Sequence, residues 1–291
     1  MNFITFWQTL PMHLDPTLIT IFGEHIIRWG TDFSGKGFPV NYYGLMYIIG
    51  FAANIGLLQN MCRSGEFDIE ESELENLCMC IIIGILFGGR IGYVLLYNFD
   101  YYVQNLSEIF LPFNNGKFIG ISGMSFHGAI VGGILCGTLY VVIKKLNWKE
   151  CANAVFFTVP MGYTFGRFGN FMNGELYGRK TDSAIGMYFP SDPTNLRYPS
   201  QLFEMIGEGI LLFLILCFLR KFCSAKNLMT PFYLIGYGVI RFFIEFYREP
   251  DAHIGLNSFG FSQGQILCTV MIVAGIILIP IFTRRQKTNC N

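Results

Sequence analysis

Gly166-Arg167-Phe168-Gly169-Asn170-Phe171-Met172-Asn173-Gly174-Glu175-Leu176-Tyr177-Gly178 lies where a long apolar segment runs out into a polar loop. One arginine, two asparagines, a carboxylate and four glycines share these thirteen positions. Glycine lets a backbone or a ligand approach closely. Arg167 and Asn170 stand three apart, so a helix continuing through them puts both on one face. That polarity is a poor end for a lipid-facing helix and a good one for gripping an anionic head group. Two plainer roles stay open at this point. Small residues at helix ends serve packing, and an arginine near an end can snorkel to the interface.

The surroundings are those of a membrane protein. Only 14% of the 291 residues are charged, against about 25% in soluble chains, and mean hydropathy is +0.44. Net charge is zero, so nothing in the overall charge points to nucleic acid. Nine cysteines, most of them inside apolar segments, form no C-x-x-C pair. They read as buried free thiols, with no disulfide framework, zinc site or other cofactor implied. The N-terminus lacks the basic and apolar regions of a cleaved signal peptide.

Apolar runs predict an all-α polytopic fold with about seven transmembrane helices, near 42–62, 77–97, 124–144, 151–169, 202–220, 230–247 and 264–283. Residues 1–41 read as an extracytoplasmic arm with short interfacial strands or turns around Ile19 and Ile26, and 30–37 as a loop. Residues 42–283 read as the membrane domain, including an outer loop over 174–199, and 284–291 as a tail. Glu66–Glu75 reads as an acidic loop with a short amphipathic helix, and 98–125 as an aromatic, polar loop. Lys and Arg number ten on the side of Lys144, Arg220 and the tail, against seven spread over the longer loops opposite. That bias sets the N-terminus outside and the tail in the cytoplasm.

Three arginines fall within or at the edges of spans: Arg90, Arg167 and Arg241. Each costs about 2.5–3.5 kcal/mol near mid-bilayer. Arg241 and Glu245 are four apart and can pair, with Arg248 a turn further on. The pair reads either as an architectural lock or as part of a ladder of guanidinium groups for a phosphate. His127, in Ser125-Phe126-His127-Gly128, reads either as a hydrogen-bonding group at a helix mouth or as a proton acceptor. Tyr43 is an interfacial anchor or a head-group hydrogen bonder.

The opening stretch closely resembles the prolipoprotein diacylglyceryl transferase signature, G-R-x-G-N-F-x-N-x-E-x-x-G. Further blocks in family order are Tyr43-Gly44-Leu45-Met46, Gly89-Arg90-Ile91-Gly92-Tyr93, Met124–Gly128, Pro199-Ser200-Gln201-Leu202 and the run from Tyr237 to Asp251. Two departures stand out. Twelve residues separate Trp29 from Tyr42 where the family usually runs Arg-Trp-Tyr-Gly, and Tyr198 stands where a histidine usually precedes Pro-Ser-Gln.

The resemblance implies transfer of the sn-1,2-diacylglyceryl group from phosphatidylglycerol to the lipobox cysteine thiol of a preprolipoprotein, releasing glycerol 1-phosphate. It implies a multi-pass enzyme of the bacterial inner membrane, acting at the outer leaflet without cofactor or metal. By position it assigns catalysis to His127, Arg241, Arg167 and Glu175. Lipid binding falls to Arg167, Asn170, Asn173, Gly178, Tyr43, Arg248 and Glu245. The other class that the spans and arginines fit is an anionic lipid or solute transporter or flippase. It is disfavoured by the lack of a visible internal repeat.

Overall fold

The computed structural model describes residues 3–21, 38–67, 69–110, 113–114, 117–118, 123–222, 226–249 and 260–283. The loop at 30–37, Trp29, Ile26 and the 284–291 tail lie outside the described residues.

In chain order the elements are α1 (Phe3–His13), β1 (Thr17–Ile21), β2 (Phe38–Asn41), α2 (Tyr42–Arg63), α3 (Glu71–Tyr97), α4 (Phe99–Gln104), β3 (Phe113–Asn114) and β4 (Lys117–Phe118). There follow α5 (Phe126–Ile143), α6 (Trp148–Met172), β5 (Met187–Phe189) and β6 (Asp192–Arg197). The last three are α7 (Ser200–Leu219), α8 (Met229–Ile244) and α9 (Gln263–Thr283). A helix occupies each stretch expected to span. By length and apolar content α2, α3, α7 and α9 can cross a membrane, while α5 and α8 are apolar but shorter. α6 has 25 residues but carries Lys149, Glu150, Arg167 and several amides.

Two local expectations are corrected and one is supplemented. The acidic stretch is already helical from Glu71, whose charge and that of Glu73 favour a helix N-terminus. The 98–125 stretch contains α4 and a short 3-10 turn at Leu106–Ile109. The N-terminal arm begins with a helix, α1, before the expected strand. The described cysteines are free, but only Cys151 and Cys268 are fully buried.

The chain divides into two compact units: Met1–Pro16, Tyr42–Leu57 and Ala152–Asn291 in one, Thr17–Asn41 and Leu58–Cys151 in the other. In the second unit α3 meets α5 through glycines. A Cβ on Gly132 would lie 2.1 Å from the Gly84 carbonyl oxygen, and one on Gly88 would lie 2.4 Å from that of Gly128. Backbone approach this close is possible only without side chains, and spacing by four keeps the glycines on one face. Ser125 caps α5 by accepting from Gly128 N at 3.2 Å, and its own N–H donates to the Gly89 carbonyl at 2.8 Å.

Arg90 belongs to this unit and is buried. Its guanidinium donates to the carbonyls of Ile109 at 2.6 Å and Glu108 at 2.8 Å and to the Tyr102 hydroxyl at 3.2 Å. It also lies over the Tyr102 ring, 5.0 Å from the centroid. A charge inside an apolar helix thus collects backbone acceptors and clamps the segment after α3 onto that helix.

In the first unit, Trp7, Leu10 and Leu14 of the N-terminal arm pack on Phe171, Met187 and Phe189. Trp7 Nε1 also donates to the Ile185 carbonyl at 3.1 Å. β5 and β6 pair antiparallel, so the outer loop folds into a hairpin. Arg197 holds its base, 2.7 Å from Asp192 and 2.8 Å from Glu249. Hydrogen bonds from Asn195 and Arg197 hold the Asp192 carboxyl below its usual range. Deeper, the buried Asn153 of α6 accepts from the Thr230 N–H and hydroxyl and donates to the Asn227 carbonyl, tying α6 to the start of α8.

Candidate active site

Three helices of the first unit each present a polar stripe at helical spacing. α6 brings Tyr163, Arg167 and Asn170; α7 brings Gln201, Glu204 and Glu208; α8 brings Tyr237 and Arg241, with Glu245 capping its end and Arg248 just beyond. α7 widens into π-helical turns over Met205–Leu211, an irregularity often found at functional sites.

Glu204 is the hub. Its side chain is 0% exposed, with Oε2 lying 2.7 Å from Arg167 Nε and 3.0 Å from Arg241 Nη1, while accepting from the Tyr163 hydroxyl at 3.0 Å. Oε1 accepts from Arg248 Nη1 at 2.7 Å. Arg241 also reaches Glu208 Oε1 at 3.4 Å and Glu245 Oε2 at 3.2 Å. Glu245 is secured from the other side by the Ser262 hydroxyl at 3.0 Å. The Tyr163 ring lies under Arg167, 4.9 Å from the guanidinium carbon. Buried charges of this kind persist only when each is met by partners of good geometry.

The signature loop continues the network. Asn170 accepts from Arg167 Nη1 at 3.1 Å and donates to Glu175 Oε1 at 2.9 Å; Asn173 reaches the same oxygen at 3.4 Å. Gln201 and Ser200 at the head of α7 donate to the carbonyls of Glu175 and Leu176, at 2.7 and 3.1 Å. Gly174 turns the chain with φ +65°, and Leu176 is held at φ +58°, a region unusual for a branched side chain. Gly178 forms a bridge with Arg248, and a Cβ there would sit 2.1 Å from the Tyr247 carbonyl oxygen. Arg179 Nε donates to the Arg248 carbonyl at 2.6 Å. Tyr43 packs its ring against Gly169 and shares a hydrogen bond with Tyr47 at 2.9 Å.

Nine of the ten site residues expected from the sequence therefore fall in one unit, within a chain of direct contacts. His127 is in the other unit, exposed in the first turn of α5. Tyr198, in place of the usual histidine, packs edge-on to Tyr247 with centroids 5.1 Å apart, and its main chain pairs with Gly178 and Arg179. The sequence reading missed Glu204, Glu208, Tyr163 and Ser262. A signal for the two carboxylates was present: Leu202–Leu211 is apolar except for them, and charge inside a span demands a partner. Among the described residues no cluster of His, Cys, Asp and Glu is arranged to hold a metal.

Such a fold and site define a helical membrane protein whose chemistry centres on buried arginines and carboxylates. A family model described as prolipoprotein diacylglyceryl transferase matches residues 31–281, and the chain belongs to that family. A phosphatidylglycerol–prolipoprotein diacylglyceryl transferase of Chlorobaculum tepidum is 41% identical over 295 residues, covering 100% of this chain and 97% of the relative. Enzymes of the same name from Campylobacter hominis and Idiomarina loihiensis are 38% and 40% identical, over 99% and 94% of this chain and the same shares of the relatives.

Proposed function

We infer that the chain is a membrane transferase. It moves the sn-1,2-diacylglyceryl group of phosphatidylglycerol to the lipobox cysteine of a preprolipoprotein. The observation that carries this reading is the convergence of Arg167, Arg241 and Arg248 on Glu204, next to the signature loop. The chain's full-length similarity to enzymes of that name supports it.

The chemistry follows from the groups present. The substrate's thiol is the nucleophile, so no enzyme Ser or Cys is needed, and a thiol of pKa about 8.5 needs only modest help to ionise. Its sulfur bonds to the glyceryl carbon as the carbon–oxygen bond to phosphate breaks. The electron pair leaves with glycerol 1-phosphate, and the thiol proton goes to a base, the role that the family resemblance gives to His127 by sequence position. Arg167 and Arg241 offset the charge that grows on the departing phosphate. Each guanidinium has five N–H donors, more than its ion pairs use. Asn170, Asn173, Glu175 and Tyr43 orient the head group, while Glu245, Gly178 and Arg248 hold the rim.

In this reading all seven long helices cross the bacterial inner membrane. The N-terminal arm and signature loop face outward, the tail faces the cytoplasm, and residues 42–283 form the catalytic domain. An acceptor assay tests the function, with purified protein, phosphatidylglycerol vesicles and a lipobox peptide or its Cys→Ser version. A diacylglyceryl mass gain on the Cys peptide alone, with matching glycerol 1-phosphate, is expected. Folded protein giving no gain overturns the reading in favour of lipid transport.

A further inference from the structure

The buried site is electrically balanced before any lipid arrives. Arg167, Arg241 and Arg248 supply three positive charges, and Glu204, Glu208 and Glu245 supply three negative ones, all in mutual contact. A phosphodiester head group brings one further negative charge and no cation. In a medium of low dielectric an uncompensated charge is expensive. Binding must therefore be accompanied by one positive charge, and a proton on a carboxylate is the smallest such charge.

The three carboxylates are not equivalent. Glu204 has Arg167, Arg241, Arg248 and Tyr163 around its two oxygens. Glu245 has Arg241, Arg248 and the Ser262 hydroxyl. Glu208 has a single ion pair, with Arg241 at 3.4 Å, shares the Tyr163 hydroxyl with Glu204, and has its Oε2 buried with no hydrogen-bond partner. The ionisable groups around it are Tyr163 and Arg167 on α6, Glu204 on its own helix, Tyr233, Tyr237 and Arg241 on α8, and Cys268 on α9. It gives up least on becoming neutral.

We propose that Glu208 takes up one proton when an anionic lipid head group binds the arginine site, keeping the site neutral and releasing Arg241 toward the phosphate. This rests on the reading of the arginines as a head-group grip. Glu208 does not touch the lipid in this scheme. It is a positioning residue that acts through Arg241, and the proton it gains makes lipid binding dependent on pH. Since protonated Glu208 belongs to the bound state, affinity falls as pH rises through the range where the free site has lost that proton.

The test is calorimetric titration of the full chain in detergent with short-chain phosphatidylglycerol, run in two buffers of different ionisation enthalpy. Uptake of about one proton per lipid is expected for the wild type, and none with zwitterionic phosphatidylcholine. On the alkaline side the wild-type Kd should rise about tenfold per pH unit, whereas E208Q, a permanently neutral isostere, should bind with a Kd flat within about twofold. Binding without proton uptake by the wild type overturns the proposal, and that measurement needs no variant. Equal uptake by E208Q overturns it as well. The peptide-acceptor assay separates the two levels: transfer without coupled proton uptake removes Glu208's role alone, whereas no phosphatidylglycerol binding at all removes the head-group grip and this proposal with it.

Discussion

Two sets of helices in this molecule are held together by opposite means. α3 and α5 meet by having nothing on their contact face: Gly84, Gly88, Gly128 and Gly132 bring backbone against backbone. α6, α7 and α8 meet through some of the costliest groups a membrane helix can carry, three arginines and three glutamates. Glycine packing gains dispersion contacts without any desolvation. Ion pairing has to recover the desolvation of every charge, and replacing such a network by apolar residues often stabilises a protein. Cheap cohesion was available to this chain, since its other unit uses it. On the proposed reading the ionic network is machinery, with cohesion as its by-product.

The sharpest way to break this contrast is Arg241→Ala. It leaves Glu208 without its ion pair, takes one arginine each from Glu204 and Glu245 and, on the proposed reading, removes a phosphate donor. Transfer should fall at least about 100-fold, with destabilisation of about 3–5 kcal/mol on thermal unfolding in micelles. Near-normal transfer would reduce the network to a structural lock. Gly178→Ala comes next, because its Cβ meets the fixed Tyr247 carbonyl and disturbs the Arg248 bridge. A loss of roughly ten- to a hundredfold in rate is expected, as for a misplaced catalytic group, with membrane insertion intact. Equal losses of stability and rate would instead class Gly178 with the packing glycines.

On the glycine side, Gly132→Val should destabilise by about 1–3 kcal/mol through overpacking against Gly84 and Gly88. Unchanged unfolding would show that α3 and α5 do not depend on that approach. The smallest effect concerns the outer hairpin and pH. Because the folded state lowers the Asp192 pKa, its stabilisation is full above the ordinary aspartate value of about 3.9 and fades as pH falls through the lower folded value. Hydrogen-exchange protection factors in β5 and β6, which divide out the intrinsic pH dependence of exchange, should therefore fall on acidification in the wild type. In Asp192→Asn they should be lower from the outset and flat over the same range, and an acid response preserved in that variant would remove the carboxylate from the account.

Apolar runs with a length near that of a bilayer placed the long helices within a few residues, because burial in lipid constrains composition directly. The signature exposed Arg167, Asn170, Asn173, Glu175 and Gly178 together, because they are contiguous in the chain; the contacts of the first four are local, whereas Gly178 bridges to the distant Arg248. Arg241 and Glu245 were legible as an i, i+4 pair. Arg90 was legible only as a costly charge. That it clamps Ile109 and Glu108 depends on carbonyls nearly twenty residues away, which no spacing rule reveals.

The sequence by itself determined the membrane class, the helices and the family, since hydropathy and a contiguous motif are properties of neighbours along the chain. Only the tertiary structure decided that Glu204 gathers Arg167 from α6, Arg241 from α8 and Arg248 from the segment beyond it. It alone left Glu208 the most weakly held carboxylate of the three. The reason is physical: an ion pair is defined by distance and burial, and both are set by how α6, α7 and α8 pack.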